Sequence, residues 1–149
     1  MKIRIVILLA AAFLLNACSP TTGIEVSSTW ARPALQEGNG AVYFLLQNHS
    51  AAGDELTGIS SDIARAAEIH ESKMEGDVMQ MQQVSSVPIG GKESVVFEPG
   101  GYHVMLIGLK QELKAGDEIQ VTLQFKNHEA IQVAVPVQEM APDGEAGEH

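Results

Sequence analysis

Between Glu118 and Val137, apolar and polar residues alternate almost without exception. Ile119, Val121, Leu123 and Phe125 fall on one side of the chain, and Glu118, Gln120, Thr122, Gln124 and Lys126 on the other. Ile131, Val133, Val135 and Val137 repeat the pattern beyond a short connection at Asn127-His128. A two-residue period is what a strand needs when one of its faces is buried; a helix would need apolar residues three and four apart. No long helical period occurs anywhere from Ile24 to Pro136. The rest of that region is short runs rich in Val, Ile and Thr, broken by Gly, Pro, Asn and Asp. The runs predict strands at Ile24–Trp30, Ala41–Gln47, Glu55–Ser60, Ala66–Glu71, Val78–Ser85, Ser94–Phe97, His103–Leu109, Glu118–Phe125 and Ala130–Pro136. Turns are expected at Gly38-Asn39-Gly40, Glu75-Gly76-Asp77, Gly90-Gly91, Pro99-Gly100-Gly101 and Gly116-Asp117, among others. One stretch, Lys110–Ala115, has a helix-like character, amounting to a turn at most, and is closed by Gly116 as a cap would close it. About nine short strands at such spacing predict an all-β chain folded as a sandwich or barrel.

The first residues read as an address. Met1-Lys2-Ile3-Arg4 is basic, and Ile5 to Leu15 is an unbroken apolar run. That run is shorter than the roughly 20 residues needed to cross a bilayer, so residues 1–17 are expected to be a signal peptide. Leu15-Asn16-Ala17-Cys18 resembles a bacterial lipobox, which makes Cys18 the acylated first residue of an exported lipoprotein. Asn16 departs from that pattern, and an ordinary signal peptide cut after Ala17 is the alternative. Residues 18–23 form a polar tether, 24–138 the sandwich domain and 139–149 an acidic, disordered tail. Losing the signal peptide removes Lys2 and Arg4, so the formal charge moves from −10 to two units more negative.

This charge excludes several function classes. Nucleic-acid binding needs clustered Lys and Arg, and so does electrostatic attachment to an anionic membrane surface. With Cys 1 in the composition, no intramolecular disulfide can form. There is no nucleophile elbow, zinc-protease helix, Walker loop or dinucleotide-binding glycine motif. The chain is not expected to be an enzyme, and the scattered acidic residues read as solvated surface.

Methionine and histidine are the informative residues. Past the signal peptide lie Met74, Met79, Met81, Met105 and Met140, and His49, His70, His103, His128 and His149. In His103-Val104-Met105 the two outer residues share a strand face, roughly 6.5–7 Å apart. Met79-Gln80-Met81 repeats that geometry, and His70 lies near the end of the preceding predicted strand. Imidazole with thioether is a soft, uncharged donor set suited to Cu(I). Zinc would be expected to recruit thiolate or carboxylate, and calcium or magnesium oxygen. A lone Met in a strand is ordinarily core filler and a lone His is ordinarily structural, so the case rests on the ensemble. A blue-copper site is excluded because it needs a Cys thiolate, and Cys18 is committed to the N-terminus.

The spacing His70, ten residues, Met81, twenty-one residues, His103, one residue, Met105 resembles the signature of the periplasmic copper chaperones of the PCu(A)C type. Trp30-Ala31-Arg32-Pro33, Gly40-Ala41-Val42-Tyr43, Ala67-Glu68-Ile69-His70-Glu71 and Pro99-Gly100-Gly101-Tyr102-His103-Val104-Met105-Leu106 resemble further elements of that family. The likeness runs from about Trp30 to Val137. It implies a cupredoxin-like Greek-key β-sandwich holding one Cu(I) on His70, Met81, His103 and Met105. Met79 is a possible auxiliary ligand, because it shares Met81's face. The resemblance also implies a periplasmic chaperone that delivers copper toward respiratory cytochrome oxidase assembly. Its partner would be a copper-accepting oxidase subunit or an assembly factor. His49 and His128 are expected to be exposed bystanders, and the tail is not assigned a second site. A copper buffer that never delivers, and a non-metal lipoprotein interaction module, remain as alternatives at this point.

Overall fold

The computed structural model describes residues 22–142. The expected signal peptide, Cys18 and positions 143–149, with His149, lie outside the described residues. Ten strands follow one another: β1 (Ile24–Ala31), β2 (Gly40–Asn48), β3 (Asp54–Ser60), β4 (Ala64–Glu75), β5 (Val78–Val84), β6 (Val87–Ile89), β7 (Ser94–Phe97), β8 (Tyr102–Leu109), β9 (Glu118–Phe125) and β10 (Ile131–Pro136). They form a six-stranded sheet in the order β1-β2-β7-β8-β4-β5 and a four-stranded sheet in the order β10-β9-β3-β6. Pairing between the strands is antiparallel except where Phe97 meets Tyr102, and Ala31 and Val137 form an isolated parallel bridge. The architecture is thus a sandwich, and the chain repeatedly crosses between the two sheets.

The alternation at the C-terminal end becomes the core. Ile119, Val121, Leu123 and Phe125 are buried, while Glu118, Gln120 and Gln124 are exposed. They face Val42, Phe44 and Leu46 of β2 and Val104 and Leu106 of β8, all buried in the same cluster. Phe44 and Phe97 stack at 4.3 Å between ring centroids.

The structure departs from the sequence expectations in three places. The strand predicted at Ala66–Glu71 runs on to Glu75, so His70 sits in mid-strand rather than at an end. It turns into β5 through the two residues Gly76-Asp77, with Gly76 at φ 63, the left-handed region that glycine enters at little cost. Sequence reading missed β6, because Pro88 interrupts its three residues; it survives as the edge strand of its sheet, where the lost N–H donor is tolerated. Lys110–Ala115 contains no helical turn. Leu113 is instead extended and bridged to Ala34, and Asp117 N–H donates to Lys114 O at 3.0 Å to close a turn over Gly116. Leu113 is buried, so its apolar side chain serves the core directly.

A bulge decides one further placement. Ile24 is buried and Val26 packs against the core, so unbroken alternation would aim Trp30 inward as well. The β1–β2 register shifts between Ser27 and Trp30, with Ser28 at φ 50. Ala31 therefore enters the core and Trp30 turns to the outer face, the re-aiming that bulges produce. There Trp30 meets Tyr43 at 4.6 Å between ring centroids.

Candidate metal centre

The outer face of the six-stranded sheet gathers the histidines and methionines. His70 lies directly opposite His103 across β4 and β8, with ring centroids 5.7 Å apart. Met105 is one strand position away on the same face, opposite Glu68 on β4 and Ala41 on β2. On the other side of the histidines, Met81 on β5 lies opposite Ser72. That is the position diagonal to His70, roughly 7–8 Å away by backbone and within reach of a long side chain. The four residues singled out by their spacing thus share one face of three adjacent strands. Met79, two residues before Met81 and opposite Met74, shares it too. His103, Met105, Met81 and Met79 line one cleft of about 400 Å³ together with Arg32, Pro33, Ala34, Pro99 and Gly100, whereas His70 shares the sheet face without lining the cleft.

Burial grades the donors. His103 is 5% exposed and Met81 is 53% exposed, with His70 and Met105 between them. Any bound ion would therefore be fixed from below by imidazole and open to solvent on the thioether side.

The hydrogen bonds assign roles to the ring nitrogens. His70 Nε2 lies 2.8 Å from Glu68 Oε2. A carboxylate can only accept, so Nε2 carries the proton and Nδ1 keeps its lone pair. That Nδ1 is buried with no hydrogen-bond partner. Leaving a buried acceptor unmet costs on the order of 1–3 kcal/mol, and a cation coordinated there would remove that cost. His103 Nδ1–H donates to Gly101 O at 3.2 Å, which leaves Nε2 as its lone-pair nitrogen. A second partner orienting the ring of a metal-binding histidine is the usual arrangement. Burial pushes the His103 imidazole below the ordinary histidine pKa, and the neighbouring His70 adds to the lowering. The bond to Gly101 opposes both. Neutral imidazole, the form that ligates, is thereby favoured.

The donor chemistry is soft. Among the described residues, no group of three or more His, Cys, Asp or Glu side chains converges. Two imidazoles and two thioethers suit Cu(I) and offer little to hard cations.

Two nearby residues, quoted above only as parts of family-like elements, were given no role from the sequence. Glu68 could have been found by the rule that paired His103 with Met105, since it precedes His70 by two on the same strand. Arg32 stacks over both Trp30 and Tyr43, its guanidinium carbon 5.8 and 5.9 Å from the ring centroids. It depends on the β1 bulge, which has no sequence signature here. His49 and His128 do not line the cleft, but neither is a free surface residue. Both are half-buried; His49 Nε2 pairs with Glu25 at 2.7 Å, and His128 sits edge-on to Phe125. Met140 is exposed.

Known proteins resemble this one over the same region. The family model described as "Putative lipoprotein LpqE-like" matches residues 24–137. A relative from Leifsonia xyli subsp. xyli, named "Putative lipoprotein Lxx21020", is 33% identical over 122 residues, covering 80% of this chain and 72% of its own length. Among solved structures, the copper-bound PCuAC domain from PmoF2 superposes with a TM-score of 0.68 at 22% identity, covering 80% of this chain and 97% of that one. The solution structure of DR1885 from Deinococcus radiodurans in its Cu(I) form superposes at 0.59 and 26% identity, covering 76% and 78%. The fold is therefore the cupredoxin-like sandwich of PCuAC domains.

Proposed function

The chain belongs to the LpqE-like family, and from that footing we propose that it is an exported copper chaperone whose cargo is one Cu(I) ion. The ligands are His70 through Nδ1, His103 through Nε2, and the sulfurs of Met81 and Met105. The observation that carries this reading is the buried Nδ1 of His70, which has no hydrogen-bond partner, on a residue that lies directly opposite His103 across β4 and β8. Buried side-chain nitrogens are ordinarily hydrogen-bonded, so one without a protein partner points to a ligand. The names of the solved relatives, a copper-bound domain and a Cu(I) form, point the same way.

Delivery proceeds by ligand exchange. Met81 is the most exposed donor, so an incoming thioether, imidazole or thiolate displaces it first. The ion is then shared between the two proteins, Met105 leaves next, and the buried imidazoles let go last. The copper stays reduced throughout, because two thioethers disfavour Cu(II). The recipient is a copper-accepting respiratory oxidase subunit or a factor that assembles its copper site. Export and acylation at Cys18 would keep the domain at the membrane where that recipient lies.

Every strand lies between Ile24 and Pro136, so a chain beginning at Ser19 keeps the whole sandwich. Anaerobic titration of that chain with Cu(I) against a chromophoric chelator tests the site. One tightly held equivalent is expected, lost in the Met81→Ala, Met105→Ala double variant. Equal, weak binding by both would overturn the copper reading and leave a lipoprotein interaction module. Transfer of the ion to a purified acceptor domain separates a chaperone from a buffer that retains it.

A further inference from the structure

Beyond the cleft, the β4–β5 hairpin leaves the body of the sandwich. Every residue from Lys73 to Gln83 is exposed, so this arm is wet on both faces. Its two faces nevertheless differ. One carries Lys73, Glu75, Gln80 and Gln82, with Val78 its only apolar member. The other, continuous with His70, carries Met74, Met79 and Met81, which are 60, 57 and 53% exposed. An exposed ribbon gains nothing by presenting three large apolar side chains to water. The residues are all thioethers rather than branched aliphatics, which are the better strand formers.

We propose that Met74, Met79 and Met81 form a second, weaker Cu(I) site, a sulfur-only platform at which the ion lands before it reaches the histidines or after it leaves them. Met74 and Met79 are directly opposite one another, which sets their Cβ atoms about 4.5–5.5 Å apart. Met79 and Met81 are neighbours along the same face at roughly 6.5–7 Å. Three flexible thioethers at these separations can converge on one soft ion. Met81 belongs to both donor sets, so the ion moves by exchanging one sulfur at a time without a change of oxidation state. Met79 lines the cleft with Met81, whereas Met74 does not; the platform therefore reaches from the cleft out along the arm. This inference rests on the four-ligand reading above and extends it.

The test uses Ag(I), a soft ion with no redox chemistry, and the chain from Ser19 labelled with ¹³C at the methionine methyl groups. The first equivalent is expected to move the Met105 methyl and the His103 ring resonances. The second, held by Met74 and Met79 while Met81 serves the first, is expected to move those two methyls. Met74→Leu conserves volume at an exposed position, so the fold is retained. It should leave the first equivalent unchanged and weaken the second by about tenfold, read by competition with a chelator. A second equivalent that leaves both methyls in place overturns the proposal, as does a Met74→Leu variant that binds it like the wild type. If the first equivalent moves Met74 and Met79 but neither Met105 nor His103, the four-ligand reading falls and the exposed site stands.

Discussion

Replacing Glu68 with alanine is expected to weaken Cu(I) binding without touching any ligand. Its Oε2 lies 2.8 Å from His70 Nε2, and this bond commits the proton to Nε2 and the lone pair to Nδ1. Hydrogen bonds to a charged partner contribute roughly 1.5–3 kcal/mol. The Glu68 side chain is 30% exposed and that of His70 14%, so solvent screening moves the contribution toward the lower end of that range. At about 1.4 kcal/mol per decade the loss is of order tenfold in affinity, consistent with the 10- to 100-fold typical when the residue supporting a metal-bound histidine is removed. Chelator competition measures the affinity. The ¹⁵N shifts of His70 in the metal-free protein report the tautomer independently: Nε2 protonated in the wild type, a mixture in Glu68→Ala. Glu68→Gln restores an acceptor but no charge, so it should recover the tautomer and about half of the lost binding free energy. Unchanged affinity in Glu68→Ala, with His70 still protonated at Nε2, would refute the argument. Recovery of the tautomer without any affinity in Glu68→Gln would show that charge, not proton placement, is what Glu68 supplies.

Acid should destabilise the metal-free protein through His103. Burial holds its folded pKa below the ordinary histidine value of 6.5, so the unfolded chain binds more protons at mildly acidic pH. Stability is therefore full above about 6.5 and falls as pH drops through the folded value. Thermal melts from pH 8 to 4.5 should show this fall, reduced in His103→Gln; an identical profile in the variant would assign the effect to other groups. Phe44→Ala removes a ring that is 2% exposed and stacked on Phe97, and should cost about 3–5 kcal/mol in urea unfolding; less than 1 kcal/mol would mean that this part of the core collapses to fill the space. Gly91→Ala would drive its methyl into the Ala51 carbonyl oxygen, and should destabilise by about 1–3 kcal/mol while leaving copper affinity intact; a neutral effect would mean that the loop yields freely.

What could be read in advance was local. Alternation at β9 and β10 gave both the strands and the faces they bury, because a two-residue period is a property of consecutive residues. The same rule put His103 beside Met105 and Met79 beside Met81, and their soft chemistry follows from residue type alone. Resemblance to a known family then singled out His70 and Met81. The remainder was decided by pairing between distant strands. His70 faces His103 only because β4 and β8 pair in one particular register, and a slip of one residue would turn one of them into the core. The length of β4 could not be seen because Lys73, Met74 and Glu75 bury nothing; main-chain bonds to β5 hold them extended. Trp30 faces outward only because of a bulge at Ser28, and β6 exists despite Pro88 because its edge needs no donor there. Nor could sequence have indicated that His70 Nδ1 is enclosed without a partner, since that depends on everything packed around it. Side-chain periodicity is written along the chain, whereas register and enclosure are settled by the packing of the whole sandwich.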